Sequence, residues 1–144
     1  MKEFHTIEIR IYYEDTDCGG VVYYANYLKY FERARTSHLE SLGLNLKELQ
    51  FAEEKRFFVV TSAQLDYHAP AHYGDILLIE SRIEEVRGAS LSFLHTVINK
   101  DTARNLVTGR VKLASVDTSG RVLRFTPRMA EQLRDKERDN LGGR

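Results

Sequence analysis

Hydrophobic and polar residues alternate at the start of the chain and then change period. Ile7, Ile9, Ile11 and Tyr13 are separated by Glu8, Arg10 and Tyr12, which predicts a half-buried strand over residues 4–13. Beyond Gly19-Gly20, Tyr24, Tyr27, Leu28, Phe31, Ala34, His38 and Leu42 recur every three or four residues. That stripe predicts a helix from about Val22 to Leu42, with Gly43 as its stop signal. Such a helix extends roughly 30 Å, the width of a small domain. Its aromatics cover much of the circumference, so it is expected to be wrapped rather than laid on a surface. Asn45 is placed to cap a short helix over residues 45–54.

From Phe57 the period returns to two. Val59, Thr61, Ala63, Leu65 and Tyr67 share a strand face up to Ala69-Pro70-Ala71. Leu77, Ile79, Ser81 and Ile83 begin another strand, and Arg87-Gly88-Ala89 suits a hairpin because Gly88 permits a positive φ. Leu91, Phe93, His95 and Val97 continue the alternation, followed by Val107, Val111 and Leu113. Thr126-Pro127 reads as an N-cap with Pro at the first helical position, and the charged residues from about Asp135 to Arg144 are expected to fray. Strand, long helix, then a run of long strands predicts one α+β domain over residues 1–144. In it a curved antiparallel sheet of five to six strands surrounds a long central helix.

Composition narrows the classes of function. Lys plus Arg and Asp plus Glu both number 21, so no net field attracts nucleic acid or an anionic membrane. The single cysteine, Cys18, forms no internal disulfide, and no apolar run approaches the ~20 residues of a membrane span. With no apolar leader in residues 1–10, the expected location is the cytoplasm.

The candidate chemistry lies where the first strand gives way to the helix. Glu14-Asp15-Thr16-Asp17 is followed by the Gly19-Gly20 turn and an aromatic-rich helix start. Asp17 is therefore close to the free N–H groups of a helix N-terminus, an arrangement suited to attack on a carbonyl. The carboxylate serves as base or nucleophile and the N–H groups receive the developing negative charge. From local chemistry alone, an Asp17 that merely caps the turn is an equal alternative. Asp15 and Asp17 also have the spacing of a magnesium or aspartyl-phosphate site, but the chain lacks the parallel βα pattern the latter needs. Asp15 is expected to bond the turn backbone instead, and no metal is assigned. Cys18 lacks an evident His partner, and His5, His38, His68, His72 and His95 are all read as structural or surface residues.

The string Tyr12-Tyr13-Glu14-Asp15-Thr16-Asp17-x-Gly19-Gly20-Val21-Val22-Tyr23-x-Ala25-Asn26-Tyr27 resembles the opening motif of hotdog-fold acyl-CoA thioesterases. The similarity is to the YbgC type associated with the Tol-Pal system, a relative of 4-hydroxybenzoyl-CoA thioesterase. It continues through Phe31-Glu32-Arg33-Ala34-Arg35-Thr36, Tyr67-x-Ala69-Pro70-Ala71 and Arg87-Gly88-Ala89-Ser90-Leu91. The resemblance implies a hotdog fold, a homodimer or homotetramer, and hydrolysis of acyl-CoA at the dimer interface with water as second substrate and no cofactor. Acyl carrier protein is left open as a second thioester donor.

By the same resemblance the family's catalytic acid falls on Asp17 and its oxyanion donor on the backbone N–H of Tyr24, where YbgC-type members usually carry His. Glu32 is the reserve carboxylate. Arg87, Gly88 and Ser90 match the hairpin that binds the nucleotide end of CoA in relatives. Tyr24, Tyr27 and the Val59–Thr61 segment, Val59 and Thr61 included, are expected to line the acyl pocket. The alternatives are a non-hydrolytic acyl-CoA or carrier-protein binding module and an interaction protein of a cell-envelope assembly. A hydratase of this fold is disfavoured, because no Asp is followed five residues later by His.

Overall fold

The computed structural model describes residues 4–142, with side chains described as far as Arg134. Five strands form one antiparallel sheet: β1 (His5–Arg10), β2 (Phe57–Tyr67), β3 (Ile76–Arg87), β4 (Ser90–Asn99) and β5 (Asn105–Val116). Their order across the sheet is β1-β3-β4-β5-β2, so β2 forms one edge. Three helices accompany it: α1 (Asn26–Ser41), α2 (Leu46–Phe51) and α3 (Pro127–Gly142).

The alternating residues of the inner strands all point to one face. Leu77, Ile79 and Ser81 of β3, Leu91, Phe93, His95 and Val97 of β4, and Val107, Val111 and Leu113 of β5 are buried there. Helix α1 lies on that face through Tyr27, Tyr30, Phe31, Ala34, Arg35, His38 and Leu39. Phe31 stacks on His95 with centroids 4.6 Å apart, and Phe93 meets the edge of His38 at 5.7 Å. The close approach needs Gly109 of β5, where an added Cβ would run into the Phe31 ring.

Two predicted boundaries move, each for a local reason. The first strand stops at Arg10 because the Tyr12 N–H donates to the Asp15 carboxylate at 2.8 Å, folding Tyr13–Asp15 into a 3-10 turn. Helix α1 begins at Asn26 rather than Val22, because Val21 and Val22 form bridges with His72 and Thr16. Tyr24 therefore precedes the helix and is exposed, as is Leu28, while Tyr30 and Leu39 take the buried positions. The opposite face, with Lys29, Glu32, Arg33 and Glu40, is exposed, so within one chain the helix is covered on one side only. The two-residue connection Gly88-Ala89 has φ 58° at Gly88. Asn45 caps α2 by accepting the Glu48 N–H at 3.1 Å, and Thr126 caps α3 by accepting the Met129 N–H at 3.1 Å. The frayed end expected from Asp135 falls on residues whose side chains lie outside the described ones.

Candidate active site

The turn before α1 is built by its two acidic residues in different ways. Asp15 is fully used: one carboxylate oxygen accepts the Tyr12 N–H at 2.8 Å and the other accepts the Tyr30 hydroxyl at 2.9 Å. Its carbonyl accepts from the Asn26 side chain and the Tyr23 N–H, both at 2.9 Å. These bonds pin the loop to the first turns of α1. Burial, then the bond to Asp15, raises the Tyr30 phenol well above its usual range, so Tyr30 stays a neutral donor.

Asp17 is half used. Oδ1 accepts the Gly19 N–H at 2.8 Å, its N–H donates to Val21 O at 2.9 Å, and its carbonyl accepts the Gly20 N–H at 3.1 Å. Gly20 sits at φ 81°, a conformation that favours glycine. The capping role and the reactive role are thus compatible: one oxygen fixes the carboxylate, and Oδ2 has no hydrogen-bond partner among the described residues.

A cavity of about 380 Å³ opens beside it, lined by Asp17, Val21, Val22, Tyr24, Tyr27 and the Tyr67–Pro70 segment. The backbone at its rim is unevenly satisfied. Tyr23 N–H donates to Asp15 O and Asn26 N–H to Tyr23 O, but the Tyr24 N–H has no partner among the described residues. Tyr67 fixes this stretch by donating its hydroxyl to Tyr24 O at 3.1 Å. The walls are aromatic: Tyr27 packs 5.8 Å from Tyr67, and Tyr24 stands edge-on to Tyr67 at 6.5 Å. Burial raises the Tyr27 phenol. The Tyr24 side chain, and more weakly the Asp17 charge, raise the exposed Tyr23 phenol.

Asp17, Tyr24 and Tyr27 therefore share one cavity, and other expected site residues do not reach it within a chain. Val59 and Thr61 lie six to eight residues along β2 from Tyr67, roughly 20 Å or more away. Thr61 donates instead to Lys112 O at 3.2 Å. Arg87, Gly88 and Ser90 are at the far end of the sheet, where β3 turns into β4. There Arg87 pairs with Glu85 at 2.6 Å, and Ser90 donates to Arg87 O at 3.1 Å. Glu32 also faces elsewhere, accepting the Thr36 hydroxyl at 2.6 Å. His68, assigned to structure or surface from its place beside Pro70, lines the cavity next to Asp17 and contacts the Thr108 hydroxyl at 3.1 Å. The signal that pointed there was the Tyr67-x-Ala69-Pro70 segment, not the histidine itself.

The Thioesterase-like superfamily matches residues 12–133. The acyl-CoA thioesterase YbgC of Haemophilus influenzae is 41% identical over 109 residues, 76% of this chain and 78% of that protein. A probable thioesterase from Bartonella henselae superposes with a TM-score of 0.82 at 34% identity, covering 86% of this chain and all of that one. The DHNA-CoA thioesterase of Staphylococcus aureus shares the fold, with a TM-score of 0.87 at 21% identity over 98% of this chain and 95% of that one. The chain belongs to the thioesterase-like superfamily.

Proposed function

We propose that this member of the thioesterase-like superfamily hydrolyses acyl-CoA to the free acid and CoA at the Asp17 cavity. The observation that carries the reading is the shared cavity of Asp17 and Tyr24, whose Oδ2 and backbone N–H have no hydrogen-bond partner among the described residues. A thioester carbonyl lying between them meets a base or nucleophile on one side and an oxyanion donor on the other. In the nucleophilic route Oδ2 of Asp17 attacks the carbonyl carbon, the Tyr24 N–H holds the oxyanion, and the C–S electrons leave with CoA thiolate. Water then cleaves the acyl anhydride, returning the carboxylate. In the general-base route Asp17 takes a proton from water, the resulting hydroxide attacks the same carbon, and the C–S bond breaks to release CoA thiolate, which takes up the proton as Asp17 is regenerated. Neither route consumes a cofactor, and a donor that is part of the backbone does not depend on the His-to-Tyr exchange at position 24.

Release of CoA from acetyl-, hexanoyl- and benzoyl-CoA, followed with a thiol reagent, tests the activity. Absence of turnover with every thioester, under conditions that preserve the fold, would overturn it in favour of the binding-module alternative. Single turnover in ¹⁸O water identifies the nucleophilic route when label appears in the Asp17 carboxylate, since it enters there only by attack of water on the Asp17 side of the anhydride.

The working unit in this proposal is a cytoplasmic homodimer or homotetramer. Edge strand β2 supports that reading: Val59 and Val60 are 43% and 53% exposed, and the strand is paired on one side only. Antiparallel pairing of two copies along β2 would set the Phe57 end of one against the Tyr67 end of the other. Val59, Thr61 and the Arg87-Gly88-Ser90 hairpin of the second copy would then approach the Asp17 cavity of the first. Mixing Asp17→Asn with Arg87→Ala chains tests this arrangement. With acyl-CoA well below KM, where the Arg87→Ala defect is expressed, mixed dimers should regain one intact site, and activity no higher than the average of the two separate variants counts against it.

A further inference from the structure

Asp17 cannot act as a base in both halves of the nucleophilic route. Once Oδ2 is acylated, that carboxylate no longer accepts a proton, yet water must lose one to cleave the anhydride. The proton therefore goes to another group in the cavity. Among the described residues, the ionisable side chains lining it besides Asp17 are His68 and the three tyrosines Tyr24, Tyr27 and Tyr67. A phenol near neutral pH is a donor rather than a base. Burial holds the Tyr27 and Tyr67 phenols further toward the protonated form, and the Tyr67 hydroxyl is already donated to Tyr24 O. Asp15, the neighbouring carboxylate, has both oxygens occupied. The imidazole is left, and it is the side chain suited to exchanging protons near pH 7.

Strand β5 holds this imidazole at the cavity wall. Just past the last β2–β5 pair, Tyr67 with Val107, the His68 N–H donates to Leu106 O at 2.8 Å and the Ala69 N–H to the same oxygen at 3.2 Å. The ring is anchored as well, with Nε2 lying 3.1 Å from Thr108 Oγ1. In the tautomer that donates Nε2–H to that oxygen, the lone pair is on Nδ1. Nδ1 has no hydrogen-bond partner among the described residues. Asp17 and His68 thus reach one cavity from two elements, the turn before α1 and the end of β2.

We propose that His68 is the base of the second half-reaction, an assignment that rests on the thioesterase reading and on its nucleophilic route. After CoA thiolate has left, water attacks a carbonyl carbon of the acyl–Asp17 anhydride while Nδ1 of His68 takes one of its protons. The bond from that carbon to the bridging oxygen breaks, and its electron pair stays on the departing carboxylate. The other water hydrogen remains on the newly formed carboxylic acid. The imidazolium then gives its proton to solvent, to which the exposed His68 ring is open, CoA thiolate takes one up, and Asp17 returns to a carboxylate.

The test uses the full chain and the fastest of acetyl-, hexanoyl- and benzoyl-CoA, with CoA release followed by rapid mixing. His68→Gln should release about one equivalent of CoA per chain in a burst and then turn over at least about tenfold more slowly than wild type. Because acylation is untouched, kcat and KM should fall together, leaving kcat/KM within about threefold of wild type. Intact mass should show the acyl adduct, and Asp17→Asn should show neither burst nor adduct. In His68→Ala, added imidazole should raise kcat at least about threefold while leaving wild type unchanged. A His68 that only supports the cavity wall would lower kcat/KM along with kcat and give no rescue. Wild-type turnover in His68→Gln, slow turnover without burst or adduct, or a His68→Ala variant that imidazole does not rescue would each overturn the assignment and leave the thioesterase reading standing. Wild-type protein that releases no CoA overturns both.

Discussion

The two ends of α1 treat ionisable groups in opposite ways. Before its N-terminus, Asp17 is exposed, tied through one oxygen, and faces an open tyrosine-lined cavity. Along its middle and C-terminal half, Arg35 and His38 are buried against the sheet, where they meet His95 of β4. The His95 ring lies between Phe31 at 4.6 Å and Phe93 at 5.5 Å, and neither ring nitrogen has a hydrogen-bond partner among the described residues. The Glu80 backbone approaches that ring but not in hydrogen-bond geometry. Burial, then the Arg35 charge and His38, lowers the His95 imidazole to about 3, so it is neutral at pH 7. One end keeps a charge in water beside a cavity, where it can react. The other keeps charge out of water, where ionisation is coupled to folding.

That contrast is broken or sharpened by substitutions that separate activity from stability. The largest effect belongs to the open end. Asp17→Asn should lower kcat by about a hundredfold or more with little change in melting temperature. Steady-state kinetics beside thermal denaturation check this, and near wild-type turnover would move the chemistry elsewhere.

The buried end should respond to pH instead. The unfolded chain protonates His95 near 6.5 and the folded chain only near 3, so the unfolded state binds the extra proton between these values. Its contribution is complete above pH 6.5 and is lost as pH falls toward 3, on the order of 5 kcal/mol at most. Urea unfolding from pH 7 down to pH 4 should show that slope, and His95→Gln should flatten it. An equal slope in the variant would assign the acid sensitivity to other groups.

Gly109→Ala probes the contact between helix and sheet. The new methyl must displace the Phe31 ring, at a cost of about 1–3 kcal/mol in unfolding free energy. Because Phe31 lies one turn into α1, activity should fall less than stability. Arg87→Ala should act on binding alone, raising KM for acyl-CoA several-fold, roughly 1 kcal/mol, with kcat almost unchanged. An unchanged KM would remove the far hairpin from the site. The smallest effect is expected for Tyr24→Phe, within about twofold in kcat, since the proposed donor is its backbone N–H.

Much of the fold was legible because it depends on neighbours in the chain. Alternation in β3, β4 and β5 identified the buried residues Ile79, Phe93, Val97 and Val111, and turn chemistry located Gly88 and the caps at Asn45 and Thr126. The first boundary of α1 was misplaced because Val21 and Val22 are held by distant partners, and periodicity carries no information about those. At the site, the Asp17 turn was readable from its order of acids and glycines. His68 was not, because Pro70 rules out a helical histidine pair without revealing which cavity the strand end borders.

The sequence by itself determined the succession of strand, turn, helix and strands, and put a carboxylate next to a helix start. Those features follow from residue spacing and from what each side chain does to its own backbone. Only the tertiary structure decided that Arg35 is packed between helix and sheet, that His95 is enclosed between two rings, and that Arg87 and Asp17 stand at opposite ends of the sheet. Each is a relation between segments far apart in sequence, set by sheet order, strand register and the close approach at Gly109.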